Sequence, residues 1–548
     1  MKQRLPIGIQ DFAKIREDGF KYVDKTARIH QLLTGSGGVF FLSRPRRFGK
    51  SLLCSTLDAV FSARRELFKE IAGQSALAID SLDWDWKIHP VIRLDLNPGN
   101  YANGTGELFA TLNRALEQCA QKYEVPYTGV TISDRFARLI TALCETYHER
   151  VAVIVDEYDK PLLNTIESPE IHTAIRTELK GFYGVLKSSD AYLRFVFLTG
   201  VTKFAQVSVF SDLNQIIDIS LDSRYADLCG VTQEELEQDF ALWIDEIAQD
   251  RGKDRVVYLA ELKRFYNGYR FSPKPLTVYN PFGLLNHFDQ NGEFLSYWYV
   301  SGTPTFLITL IEKQHIDLLR LENKTVLSGA FHNYDVENLA ALPLLYQTGY
   351  LTIVGYDEEL GFILDYPNIE VRASFATSLI EQYLHVPEKN RSAFFERFFA
   401  ALYAGDTEGI LNALKPFFAS IPYDLIANTE NYYQTVVHLI FTMLGLQCRS
   451  EVRIAAGRID TLVETKKFVY CFEFKLNGTA EEALRQIDTK EYLLPWQGTG
   501  KQLFKIGVAF DTEKRNIGEW LGSFGGGGPP ARPRARGRGA RGAGRGGG

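Results

Sequence analysis

Three short clusters of side chains in this 548-residue chain have the types and spacing to do chemistry. The first is Gly49-Lys50-Ser51, preceded in the same turn by Arg46, Arg47 and Phe48. A glycine without Cβ lets backbone N–H groups face phosphate oxygens. A lysine then reaches the β- and γ-phosphates, and a serine hydroxyl helps to hold Mg²⁺. These six residues are the candidate nucleotide-binding positions. The second cluster is Asp156-Glu157. Asp156 is placed to hold Mg²⁺ together with Ser51, and Glu157 to polarise an attacking water. The third is Asp460 with Glu473 and Lys475. Two carboxylates, Asp460 and Glu473, can hold a second Mg²⁺ that activates water against a phosphodiester. The ammonium of Lys475 can orient the nucleophile or offset developing charge.

Each cluster needs elements that aim it. Val39-Phe40-Phe41-Leu42 reads as an apolar strand, and Leu52, Leu53, Leu57 and Phe61 as a helix, so Gly49-Lys50-Ser51 falls in the turn between them. The helix N-terminus adds its dipole to the same anion site. In the pattern G-x-x-x-x-G-K-[ST] the first glycine falls on Arg44, so this loop opens Arg44-Pro45-Arg46-Arg47 instead. Alone, the turn reads equally well as a basic surface loop. Val151-Ala152-Val153-Ile154-Val155, running into Asp156-Glu157, reads as a central strand buried on both faces, and its carboxylates tip the reading toward nucleotide hydrolysis.

Further strands are expected at Val91–Leu96, Phe195–Gly200 and Ile216–Ile219, separated by helical patterns around Leu108–Tyr123, Phe136–Tyr147 and Ile171–Leu186. Short strands alternating with longer helices imply a parallel sheet covered on both faces. Ligands collect at the C-terminal strand ends of such sheets, where the first two clusters lie. Polar residues of Thr199–Lys203 read equally as an ordinary strand-end turn or, by similarity to P-loop ATPases of the AAA type, as sensors of the γ-phosphate. Arg224 is a candidate arginine finger by position only. Asp24 or Thr26 is placed to start a helix containing Ile29, Leu32 and Leu33.

From about Leu228 the pattern turns helical, beginning with a capping-box signature at Thr232 and Glu235. The aromatic-rich segment with Tyr266, Tyr269, Tyr279, Tyr297 and Trp298 reads as packed core rather than a base-stacking platform. Tyr346–Leu351 and Tyr366–Asn368 read as turn-bounded strands. From about 425, a helix through Tyr432, Val436, Leu439 and Met443 ends at Gly445. Strands follow at Cys448–Ile454, Arg458–Glu464 and Phe468–Leu476, then a helix Thr479–Tyr492 and a strand Phe504–Phe510. Glu473 and Lys475, two apart on a strand, share a face and taken alone read as an ordinary ion pair; Asp460, Gln486 and the element order tip the reading toward chemistry. Gln486 lies on the helix after them, and Glu430 is a candidate accessory carboxylate.

Tyr22-Val23-Asp24-Lys25-Thr26, Ser43–Ser51 and Val155-Asp156-Glu157-Tyr158-Asp159-Lys160-Pro161 together resemble the bacterial AAA-ATPase-like proteins. Those usually carry a PD-(D/E)XK nuclease-like domain at the C-terminus. In that family the arginine-rich opening of the phosphate loop is the usual form, and the αβββαβ order after residue 425 resembles the nuclease core. Gln486 matches a glutamine often found there. The resemblance covers the chain to about residue 520. It implies an α/β P-loop NTPase domain over 1–227, a helical or mixed middle domain over 228–424 and a PD-(D/E)XK nuclease-like domain over 425–522. It also implies ATP and Mg²⁺ as cofactors and nucleic acid, DNA or RNA, as partner. The expected activity is an ATPase whose nucleotide state controls metal-dependent cleavage. The alternative is an ATP-switched signalling or scaffold protein with an inactive nuclease-like binding domain.

Composition sets the outer limits. A hydrophobic content of 45% with 23% charged residues is that of an ordinary globular protein. The net charge of −6 argues against a protein that coats nucleic acid along its whole surface. Six well-separated cysteines form no C-x-x-C pair and read as reduced, packed residues of a cytoplasmic protein. No apolar run approaches the ~20 residues that cross a bilayer. A homo-oligomer is left open. Residues 523–548 switch to glycine, arginine and proline, a composition that cannot build a core and is expected to be disordered.

Overall fold

The computed structural model describes residues 2–203, 209–210, 213, 215–298, 307, 310–311, 314, 321–331, 341–383, 388–421, 429–443, 447–476 and 478–524. The chain forms two compact units, one of Met1–His315 with Arg320–Val371, the other of Ile316–Leu319 with Arg372–Gly548. The stretch 228–424 therefore contributes to both.

The first unit is built on five parallel strands: β1 (Val39–Ser43), β2 (Val91–Asp95), β3 (Val151–Asp156), β4 (Leu193–Gly200) and β5 (Ile216–Asp218). Their order across the sheet is β2-β3-β4-β1-β5, which inserts β4 between the phosphate-loop strand and the strand of Asp156. Side chains alternate between the faces. Phe41, Ile92, Leu94, Val153, Val155, Val196 and Leu198 pack on the helices Thr105–Lys122, Ile132–Tyr147 and Pro169–Ser188. On the other face, Phe195 packs against Phe40 and against Phe61 of the helix Lys50–Phe61. Both faces are dry, so every residue of β1 and β3 is buried. The parallel-sheet expectation holds.

The rest of this unit is largely helical. Thr232 and Glu235 form the capping box, closing the helix Gln233–Asp239. Asp24 bonds the Thr26 amide and hydroxyl at the start of the helix Thr26–Thr34. Two short strands, β6 (Val231–Thr232) and β7 (Val278–Tyr279), pair antiparallel. Tyr266, Tyr269 and Tyr279 are core residues, each at most 1% exposed.

The strands expected at Tyr346–Leu351 and Tyr366–Asn368 are not there. Ala341–Thr348 is a helix, and the strands are β8 (Lys324–Val326), β9 (Thr352–Asp357) and β10 (Gly361–Asp365), antiparallel in the order β8-β10-β9. A short apolar run has no periodicity to separate helix from strand. Gly349, at φ 90°, ends the helix and moves the strand beyond it.

In the second unit the helix Glu430–Met443 is followed by β11 (Gln447–Ile454), β12 (Gly457–Glu464) and β13 (Phe468–Leu476). The helix Ala480–Thr489 then leads to β14 (Gln502–Asp511) and β15 (Asn516–Phe524). The five strands follow chain order, with β13 and β14 parallel and the other pairs antiparallel. A parallel pair needs a crossover, which Ala480–Thr489 supplies, its N-terminus closed by a Thr479–Glu482 capping box. That helix stops at Thr489 rather than Tyr492, and β15 extends the expected αβββαβ order by one edge strand. The expected helix end at Gly445 and the Gly/Arg-rich residues 525–548 lie outside the described residues. Among the described residues no helix is long and apolar enough to cross a membrane, and the six cysteines are free.

Candidate active sites

The first site lies at the C-terminal ends of β1, β3 and β4. Gly49 sits at φ 90°, with open space where a Cβ would be, and the helix Lys50–Phe61 starts directly after it. This is the conformation a phosphate-cradling loop needs, and glycine takes it without strain. Lys50 is 4% exposed, and its Nζ donates to the carbonyls of Arg44 (3.2 Å) and Pro45 (3.3 Å). Glu157 Oε1 stands 3.6 Å from the same ammonium. The lysine is thus already threaded through the loop it would serve.

Arg44, at the position of the absent glycine, turns inward. Its guanidinium donates to the carbonyls of Ser43 (2.9 Å), Ser220 (2.9 Å) and Tyr225 (3.0 Å) and lies 4.2 Å over Phe271. The loop is therefore held by a buried side chain where flexible backbone would otherwise be. Phe48 is buried edge-on against Tyr269 and Phe271, which leaves its backbone to face a ligand. Arg47 stacks 3.7 Å over Phe282 at φ 66°. Arg46 stays exposed while its carbonyl accepts from Asn280 Nδ2 (3.5 Å) and Trp298 Nε1 (3.3 Å). Glu157 is also left-handed, at φ 55°. Such positions cost about 1–3 kcal/mol each and cluster at functional sites.

Asp156 is 2% exposed, and burial raises its carboxyl above its ordinary range, opposed by a hydrogen bond with the Ser51 side chain. Its Oδ1 is buried without a hydrogen-bond partner. An orphaned carboxylate oxygen beside a serine hydroxyl is the donor set a hard cation takes, so the residues fit Mg²⁺. Asp159, given no role by the sequence, has a structural task. Fully buried, it accepts from the amides of Val201 (3.1 Å) and Thr202 (2.7 Å) and from the Thr202 hydroxyl (2.6 Å). It thereby ties the end of β4 to the turn after β3.

The expected γ-phosphate sensors all have protein partners. Thr199 donates to the Leu42 carbonyl (2.8 Å), Thr202 to Asp159, and Lys203 Nζ pairs with Asp218 (2.7 Å). Arg224 is largely exposed and bound through two nitrogens to Asp222.

The second site lies on the face shared by β12 and β13. Asp460 Oδ2 accepts the Phe474 amide (2.8 Å), and Lys475 Nζ bonds Glu473 Oε1 (3.0 Å). Asp460 and Glu473 are 6% and 1% exposed. Burial raises both carboxyls above their ordinary range, and the charge of Asp460 pushes Glu473 further in the same direction. Glu473 Oε2 is buried without a partner. Again the vacant oxygen, the neighbouring carboxylate and the ammonium fit Mg²⁺. Among the described residues no three His, Cys, Asp or Glu side chains gather as a metal site.

Glu430 reaches this site, its Oε2 accepting from the Leu476 amide (3.4 Å). Gln486 donates to Tyr492 Oη (3.1 Å), so the expected catalytic glutamine is held by a tyrosine at the edge of the carboxylate pair. Sequence reasoning missed Gln434, whose Nε2 donates to the Asp460 carbonyl (2.5 Å) and to Glu451 Oε1 (3.3 Å). Its signal was legible: it lies four residues after Glu430 on one helix, hence on the same face.

Comparison with known proteins gives three matches. Residues 6–210 match the AAA-ATPase-like family model, described as "Predicted AAA-ATPase". Residues 428–520 match the model of the PD-(D/E)XK nuclease superfamily. A protein of Azotobacter chroococcum mcd 1, named as an uncharacterized protein in the vnfD 5′ region, is 38% identical over 529 residues. The match covers 94% of this chain and 98% of that one.

Proposed function

The chain belongs to the AAA-ATPase-like family and carries a PD-(D/E)XK nuclease superfamily domain, and we propose that it hydrolyses ATP and that its nucleotide state controls Mg²⁺-dependent cleavage of nucleic acid. One observation carries this reading. Each unit carries on a central strand a buried carboxylate oxygen without a partner, Asp156 Oδ1 at the end of β3 in one and Glu473 Oε2 within β13 in the other. A buried unpaired carboxylate oxygen is costly, and a cation removes that cost. Both oxygens lie beside a lysine suited to phosphate.

In the first unit the loop amides at Gly49 and Lys50 Nζ bind and orient the phosphates, and Arg46 remains exposed beside them. Ser51 and Asp156 would hold Mg²⁺. Glu157, paired with Lys50 before phosphate competes for that ammonium, becomes free to hold a water and take its proton. In the second unit Asp460 and Glu473 would hold Mg²⁺, while Lys475 orients the nucleophile and Gln434 fixes the strand carrying Asp460. The metal supplies charge neutralisation of phosphate oxygens and a lowered pKa for bound water.

The test is Mg²⁺-dependent cleavage of single- and double-stranded DNA and RNA, with and without ATP, beside Glu473→Ala and Lys50→Ala. Cleavage lost in Glu473→Ala and altered in Lys50→Ala supports control of one site by the other. ATP turnover without cleavage under any condition refutes the nuclease part and leaves a nucleotide switch with a binding domain.

A further inference from the structure

β2 is an edge strand of the first unit's sheet, and a cavity of about 330 Å³ opens beside it, between the helices Lys50–Phe61 and Thr105–Lys122. The even-numbered residues of this strand carry the ladder to β3. Its two ends are marked by the Ala152 amide donating to the Pro90 carbonyl and the Leu96 amide donating to the Asp156 carbonyl. The odd-numbered residues therefore turn their amides and carbonyls outward. At Val91 both groups are met: the amide donates to Tyr123 Oη (2.9 Å) and the carbonyl accepts from Cys119 Sγ (3.6 Å). At Arg93 no side chain among the described residues bonds either group.

Three cations line the cavity, Arg93, Arg114 and Lys122. Of the two carboxylates on the same lining, Asp58 acts on the Lys122 ammonium, and Asp95 accepts the Asn97 amide (2.9 Å). The Arg93 and Arg114 guanidiniums make no hydrogen bond or ion pair among the described residues. Arg93 is half-buried, so it has given up part of its water without gaining a partner in the fold. The hydroxyl of Thr111, also on the lining, is buried without a hydrogen-bond partner; its neighbour Tyr101 donates its own proton to the Leu96 carbonyl (2.7 Å). Two guanidinium forks, an ammonium and a hydroxyl around one concavity are donors for an anion.

We propose that this cavity binds a small molecule through a phosphate monoester group, held by Arg93 and Arg114 with Thr111 and Lys122 beside them. A phosphate monoester carries close to two negative charges at neutral pH, which matches the two unpaired guanidiniums. The volume stands at the small end of the range for organic ligands, about 300–1,000 Å³, and suits a phosphorylated sugar or a mononucleotide. The site is separate from the phosphate loop, because Asp58 lies seven residues past Ser51, about 10 Å along their common helix. An occupant nevertheless touches two elements of the nucleotide site, that helix and the strand whose Asp95 is the ladder partner of Asp156.

The experiment is calorimetric titration of the full chain carrying Lys50→Ala, which silences the phosphate loop, with inorganic phosphate, ribose 5-phosphate and AMP in turn. One-to-one binding of an ester is expected, weakened roughly tenfold or more by Arg93→Gln and by Arg114→Gln, with Arg93→Lys in between. Arg114 is exposed on its helix, so its variant carries the test if Arg93→Gln melts early. Lys187→Ala, an exposed cation on a helix that does not line the cavity, should change nothing. Binding of ribose 5-phosphate as well as AMP assigns a sugar phosphate, and binding of AMP alone a mononucleotide. Binding of inorganic phosphate only, of no probe, or of a probe indifferent to both glutamine variants overturns the proposal. Displacement of the bound ester by single-stranded DNA without terminal phosphates overturns it in favour of a nucleic-acid backbone.

Discussion

Glu370→Gln should remove the largest part of the first unit's loss of stability with rising pH. Glu370 is fully buried, with Oε1 accepting the Trp298 amide at 2.7 Å and Oε2 lacking a partner. Burial pushes its carboxyl up to about 8, opposed by the Trp298 and Tyr297 amides and by Arg47. Because the folded-state pKa lies above that of the unfolded chain, this group's contribution is greatest below about pH 4.5 and is lost as pH rises to about 8. A tenfold change in proton affinity is worth about 1.4 kcal/mol, so the full loss is about 5 kcal/mol. Between pH 5 and pH 8 the parent should lose about 4 kcal/mol through this residue. The glutamine keeps the acceptor for the Trp298 amide and removes the titration. Urea unfolding at several pH values, followed by tryptophan fluorescence, measures both slopes. Trp298 is a local reporter, since its indole also bonds the Arg46 carbonyl in the phosphate loop. Identical pH slopes in parent and variant would refute the argument that Glu370 is folded in its protonated form.

Three other outcomes are expected. Asp159→Ala removes the shared acceptor of two amides and a hydroxyl, so stability should fall by about 3 kcal/mol or more, at roughly 1–3 kcal/mol per stranded group. Asp159→Asn should lose less, and denaturant midpoints will rank the two. Asp156→Asn keeps the shape of its site but halves its capacity for a cation. Nucleotide binding measured without Mg²⁺ should persist, while the Mg²⁺-dependent gain and at least about tenfold of ATP turnover disappear, a change of about 1.4 kcal/mol. At the second site both carboxyls are raised, and metal needs them ionised. Mg²⁺ affinity, followed by calorimetry, should therefore increase as pH rises above the ordinary carboxylate range of about 4. In Glu473→Gln that pH dependence should shrink. An Mg²⁺ affinity that falls with rising pH would contradict the assignment.

What could be read from the sequence follows the range of the interactions involved. The phosphate loop and the Asp156 strand were legible because their signals are local: a buried β-branched run, a glycine at a turn, and a carboxylate at the strand end. Arg44 shows the limit of that reading. By spacing it stands as a defect in the loop. Its role depends on carbonyls at Ser220 and Tyr225 and on the ring of Phe271, about 180 to 230 residues away. Nothing near Arg44 announces them. Asp159 is a similar case, part of its motif yet silent until Val201 and Thr202 come back beside it just past the end of β4.

The second site divides the same way, and the division bears on how its carboxylates work. The two-residue spacing of Glu473 and Lys475 fixes a common face in any strand, so their contact was legible. The geometry of Asp460 was not, because it depends on Glu451 adopting φ 57° and breaking the ladder opposite it. That break frees the Asp460 carbonyl for Gln434, while the Asp460 carboxylate stays pinned by the Phe474 amide. Backbone and side chain of one residue are thus held from two different elements. If that double tether is what keeps Asp460 beside Glu473, Gln434→Leu should weaken Mg²⁺ binding although Gln434 is no ligand. Glu451→Gly, which takes φ 57° without strain, should keep the metal affinity. Loss of affinity in the glycine variant with retention in the leucine variant would show that charge at Glu451, and not the tether, positions the site.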